Sequence, residues 1–145
     1  MQTLQPTDHI KTLDLSRYLR KLARRNPADW PAERLALADR EYRRFLDLRR
    51  LGIVRALVPS ETMDAVWHEH ILDTRNYAVD MERIFGTFVH HEPNYEDDSH
   101  VRAAMDDALE ATMRAYEALF GEAMPGVSAR CTGKTCHAPT SCRCR

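Results

Sequence analysis

Val66-Trp67-His68-Glu69-His70-Ile71-Leu72-Asp73-Thr74-Arg75-Asn76-Tyr77 is the stretch whose reading decides the fold. Its apolar residues recur at three- and four-residue spacing. The same phase carries on through Met63, Ala78, Met81, Ile84 and Phe85. That period is the pitch of an amphipathic helix, and it predicts one long helix from a Ser60 cap to about Phe85. Glu61 suits the positive end of that helix, and Gly86 is its stop.

Working outward, the same reading gives three more helices. The first runs from a cap at Thr7 or Asp8 to about Arg25, with Leu15, Tyr18, Leu19 and Leu22 as its buried stripe. Asn26-Pro27 ends it, because a residue before proline is pushed out of the helical region. The second starts near Pro31 and runs to about Leu51 before Gly52. Leu35, Ala38, Tyr42, Phe45 and Leu46 or Leu48 face inward, while Glu41, Arg43, Arg44, Asp47 and Arg49 supply ion pairs at helical spacing. The fourth runs from Asp98 or Ser99 to Phe120 and stops at Gly121, burying Val101, Ala104, Met105, Ala108, Leu109, Thr112, Tyr116, Leu119 and Phe120. The expectation is an all-α fold: a single helical bundle of about four main helices over residues 1–126, and an irregular cysteine-rich tail over 127–145.

The totals agree with this class. A chain of 145 residues is long enough for one core, and its 43% apolar and 30% charged content is ordinary for a globular protein. No apolar run approaches membrane-spanning length, and the first residues do not read as a secretory signal, so a cytoplasmic protein is expected. Charge is uneven. Residues 1–60 carry 13 Lys/Arg against 7 Asp/Glu, and residues 61–129 carry 4 against 15. The basic half and the basic tail suit a nucleic-acid surface, but attraction to the acidic middle of the same chain is the preferred reading.

Four of the seven histidines fall between positions 68 and 91. On a regular helix with Trp67 facing inward, His70 lies at about −60° and His68 at about +100°. The two rings are then about 160° apart and do not share one ion. This separates the motif from the zinc-protease helix, whose histidines stand four residues apart. Two groups result. Asp64 and His68 form an i, i+4 pair on one flank. His70, Asp73 and Tyr77 lie on the other, with Tyr77 as a hydrogen-bond donor. His90 and His91 follow the helix and reach either flank only if the loop reverses sharply. Asp64, His68, His70, Asp73, His90 and His91 are therefore the candidate ligands, in a chemistry suited to zinc or iron. The bland alternative is a buried neutral His70, a surface Asp64–His68 pair and a solvated histidine doublet.

All four cysteines lie in the tail. Cys131, Cys136, Cys142 and Cys144 do not follow paired CxxC spacing, yet four thiolates suit a soft ion, zinc or copper. Arg130, Lys134, Arg143 and Arg145 would make the thiols more acidic and more reactive.

Residues 41 to 93 resemble the bacterial branch of the glycine-rich domain-containing protein-like family. The resemblance rests on Glu41-Tyr42-Arg43-Arg44-Phe45-Leu46, Asp64, Trp67-His68-x-His70-Ile71-Leu72-Asp73-Thr74, Tyr77, Phe85-Gly86 and Phe88-x-His90-His91-x-Pro93. The cysteine-rich end is similar as well, while Met81 stands where that family usually has a cysteine. The resemblance implies a helical fold and these motif positions, and no particular reaction. The functional expectation is a transition-metal-binding helical protein, with a metal or redox role for the tail. In a catalytic version His68 or His70 is ligand or base, with Asp64 orienting the ring; Ser60 and Thr74 have no base–orienter pair to make them nucleophiles. Two alternatives compete: a helical interaction module that docks a protein partner through its tail, and a basic-patch nucleic-acid binder.

Overall fold

The computed structural model describes residues 6–92 and 98–127, and every regular element among them is an α-helix. In chain order these are α1 (Pro6–Thr12), α2 (Ser16–Arg25), α3 (Ala32–Leu51), α4 (Glu61–Leu72), α5 (Thr74–Phe85) and α6 (Ser99–Phe120). The all-α class is as expected. The helix count is not, because two of the expected helices are each broken in two. Cys131, Cys136, Cys142 and Cys144 lie outside the described residues. No helix among the described residues is long and apolar enough to cross a membrane.

The chain forms two compact units. Among the described residues, 6–51 with 61–91 hold α1 to α5, and 52–60 with 92 and 98–127 hold α6.

In the first unit α4 is central and packs against α2, α3 and α5, while α1 packs against α3 and α5. The shared core is made of Ile10, Leu15, Tyr18 and Leu22 with Tyr42, Phe45 and Leu48, Met63, Val66 and Trp67, and Tyr77, Met81 and Ile84. Because helices cover α4 on several sides, it buries Glu69 as well as its apolar stripe. A carboxylate there is tolerated because Arg25 lies 2.7 Å from Oε1 and Lys21 lies 2.8 Å from Oε2. Glu41, one of the residues expected in ion pairs, is also fully buried, with Arg40 at 3.0 Å and Arg44 at 3.9 Å.

The break after α1 has a chemical cause. Arg43 on α3 donates to the carbonyls of Ile10 (2.6 Å), Lys11 (3.1 Å) and Leu13 (2.8 Å), while Asp39 holds the same guanidinium at 2.9 Å. The carbonyls that would have continued the helix are thereby satisfied from outside it. Asp14 then accepts from the Ser16 backbone N–H at 3.1 Å and from its hydroxyl at 2.6 Å, and α2 begins.

The break between α4 and α5 falls at Asp73, whose backbone (φ −84°, ψ 68°) is not helical. Its carboxylate is drawn sideways, where Oδ2 accepts from Asn76 (2.8 Å), Tyr18 (2.9 Å) and Arg17 (3.2 Å). α5 ends where the long helix was expected to stop, with Gly86 in the left-handed region (φ 71°) and its N–H on the Glu82 carbonyl.

In the second unit the Asp98 carboxylate caps α6 by accepting from the Val101 N–H at 2.9 Å. Thr112 on α6 accepts from the Val58 N–H at 3.0 Å, which ties residues 52–60 to the helix within that unit. Thr112 and Tyr116 are buried as the period predicts, whereas Ala104 and Leu119 are exposed.

Candidate metal centre

His68 and His70 do point to different flanks of α4, and each has found a different set of partners. On the first flank, one helical turn separates Asp64 from His68, and the His68 Nε2 lies 3.5 Å from Asp64 Oδ1. The third member comes from the segment after α5. His91 Nε2 stands 2.9 Å from His68 Nε2 and 3.0 Å from Asp64 Oδ1. Three possible ligand atoms thus meet in a triangle with sides of 2.9, 3.0 and 3.5 Å.

Burial grades across this triangle. The His91 side chain is 18% exposed, Asp64 27% and His68 52%, so the site opens to solvent on the His68 side. The closed side is aromatic: the Trp67 ring sits 4.4 Å from the His91 ring, with Phe45 behind it at 5.1 Å. Such packing limits the positions the His91 ring can take.

A buried hydroxyl helps to hold the loop that delivers His91. Tyr77 accepts from the Trp67 indole N–H at 2.9 Å and donates to the Val89 carbonyl at 2.5 Å. Val89 is buried, two residues before His91. The Tyr77 phenol is pushed above its ordinary pKa by burial, partly offset by the Trp67 hydrogen bond, so it keeps the proton it donates. Tyr77 is therefore the donor the sequence suggests, but it acts on the loop and not on a ligand.

The second flank is a different kind of place. His70 is fully buried. Its Nε2 lies 2.8 Å from Asp80 Oδ2, and its Nδ1 lies 2.7 Å from the Tyr42 hydroxyl. An ionised carboxylate only accepts, so Nε2 carries the proton toward Asp80. Tyr42 is held far above its ordinary pKa by burial first, then by the neighbouring Tyr77, Asp80 and Tyr18, and it donates to Nδ1. Both ring nitrogens are satisfied, and the rings of Tyr18 and Tyr77 close the remaining space at 4.9 and 5.0 Å.

Several expected members lie elsewhere. Asp73 does not join His70, because Asn76, Tyr18 and Arg17 hold its carboxylate at the helix break. Of the doublet only His91 reaches the triangle; His90 is exposed, its ring against Phe88 at 4.8 Å. Tyr18, Tyr42 and Asp80 are the polar partners that sequence reasoning missed. The two tyrosines looked like ordinary members of buried stripes. Asp80 is ten residues from His70, which is about 15 Å along an unbroken helix. Only the break at Asp73 lets them meet.

A family model described as UCP032817-like matches residues 5–116. The chain belongs to that family, which corrects the resemblance to the glycine-rich domain-containing protein-like family suggested by the WHxHILDT and HH motifs. No curated protein and no solved structure matches.

Proposed function

We propose that this member of the UCP032817-like family binds a divalent transition ion, zinc or ferrous iron, through Asp64 Oδ1, His68 Nε2 and His91 Nε2. The observation that carries this reading is the triangle itself. Three ligands about 2.0–2.1 Å from a common ion stand about 3.3 Å apart in a tetrahedron, and about 3.0 Å apart on one octahedral face. The sides of 2.9, 3.0 and 3.5 Å fall around both values. Protons alone satisfy the group poorly. Each Nε2 carries at most one hydrogen, so any placement leaves either two lone pairs or two N–H groups aimed at each other on one side of the triangle. A cation accepts all three.

Two imidazoles, one carboxylate and a solvent-facing side leave coordination positions for water or a small ligand. That pattern belongs to working metal sites more than to closed structural ones. His70 is assigned to the fold, since both its nitrogens already have partners. The tail cysteines supply a second, soft ligand set in a cytoplasmic protein on this reading.

The test is titration of the full untagged chain with Co²⁺ and Zn²⁺, because cobalt absorption separates imidazole from thiolate ligation. The expected result is one imidazole-type site that Asp64→Asn, His68→Ala and His91→Ala each weaken at least tenfold, with His90→Ala unchanged. Equal binding in all four variants would sink the assignment.

A further inference from the structure

A second, separate feature lies between α1, α2 and α5. It is a cavity of about 250 Å³, walled by His9 on α1, Asp14 and Tyr18 at the start of α2, and Asp80 and Arg83 on α5. None of the metal-centre residues lines it. Its volume is that of about eight waters, below the range typical of drug-sized pockets, so a ligand of roughly ten heavy atoms fits.

The charge inside is balanced but not cancelled. Asp14 is engaged by Ser16, and Arg17, which also lines the cavity, is engaged by Asp73. Asp80 spends Oδ2 on His70, and Arg83 stands one turn further along the same helix. Opposite charges at i, i+3 are within reach of each other on a helix. Here, among the described residues, Arg83 has no ion pair and Asp80 Oδ1 has no hydrogen-bond donor. The cavity thus presents one guanidinium fork and one carboxylate oxygen, on neighbouring turns, both without a partner.

We infer that this cavity binds a small zwitterion of the α-amino-acid class, its carboxylate on Arg83 and its ammonium on Asp80. A guanidinium fork matches a carboxylate in geometry as well as charge. Ligands of one sign fit worse: a dicarboxylate sets its second charge against Asp14 and Asp80, and a diamine sets one against Arg17 and Arg83. Two acids and two arginines among the walls favour a ligand of zero net charge with its two charges held apart.

The experiment is calorimetric titration of the full chain with the common L-amino acids, each alongside its α-amide and its N-acetyl derivative. The expected result is saturable binding of at least one free amino acid, weakened at least tenfold by removal of either charge from the ligand. Arg83→Gln, a change at an exposed residue, gives the same loss, and Asp80→Asn does so too where it folds. A chelator leaves the affinity unchanged, because the metal centre is not involved. The inference is overturned if no amino acid saturates, if the amide or N-acetyl form binds as well as its parent, or if Arg83→Gln binds like the wild type.

Discussion

Tyr77 shows how much one hydroxyl can organise. It joins the Trp67 indole to the Val89 carbonyl and so fixes the approach of His91 to Asp64 and His68. Tyr77→Phe keeps the ring and removes only that link. The expected cost is about 1–2 kcal/mol of stability, measured by urea unfolding. A fall in metal affinity is also expected, because the segment that carries His91 loses its tie to α5. Unchanged affinity in the variant would mean that the loop is held some other way. Asp73 gives a residue-scale prediction of another sort. Hydrogen bonds from Asn76 first, then Tyr18 and Arg17, hold its carboxyl below the ordinary value of 3.8, and Ser16 does the same for Asp14. On acidification the unfolded chain takes up these protons before the folded one. The stabilisation is therefore full above pH 3.8 and is lost as pH falls through the lower folded values. Unfolding midpoints measured below pH 5 should be less acid-sensitive in Asp73→Asn than in the wild type.

At the scale of elements, α4 is the helix on which the rest depends, and its polar contacts explain why it tolerates burial on more than one side. Glu69 is 3% exposed, whereas Lys21 and Arg25 are 46% and 59% exposed. Removing the cations and removing the acid are therefore not equivalent. Lys21→Ala with Arg25→Ala strands a buried carboxylate, and a cost of about 3 kcal/mol or more is expected. Glu69→Gln leaves two cations that water can solvate, so it should cost clearly less. Chemical denaturation of the two variants decides it, and the reverse order would refute this reading of the pair. Arg43 plays a similar part for α1. Arg43→Ala leaves the carbonyls of Lys11 and Leu13 without this donor and that of Ile10 with the Leu13 N–H alone, and about 2–4 kcal/mol should be lost. Hydrogen exchange should rise first in α1.

For the whole molecule, the helical class was legible because the three-to-four-residue period is continuous, and the stops at Gly52, Gly86 and Gly121 were legible from glycine alone. The separation of His68 from His70 was legible too, as it follows from helical pitch. The breaks at residues 13–15 and at Asp73 were not. Local propensity runs through both points, and the groups that interrupt the helices come from distant positions: Arg43 in one case, Arg17 and Tyr18 in the other. What followed from those breaks was equally hidden. The partnership of His70 with Asp80 depends on a turn that no spacing rule contains, and His91's return to His68 depends on the Tyr77 bond to Val89 and on packing against Trp67. The basic α2 meets acids of its own chain, through Lys21 and Arg25 on Glu69 and Arg17 on Asp73, which is how part of the uneven charge is used.

The most direct measurement is anomalous diffraction at the zinc edge from crystals of the full, untagged chain grown with Zn²⁺. One peak about 2.0–2.1 Å from Asp64 Oδ1, His68 Nε2 and His91 Nε2 is the outcome required. Density for zinc only at other residues, with these three side chains turned apart, would contradict it.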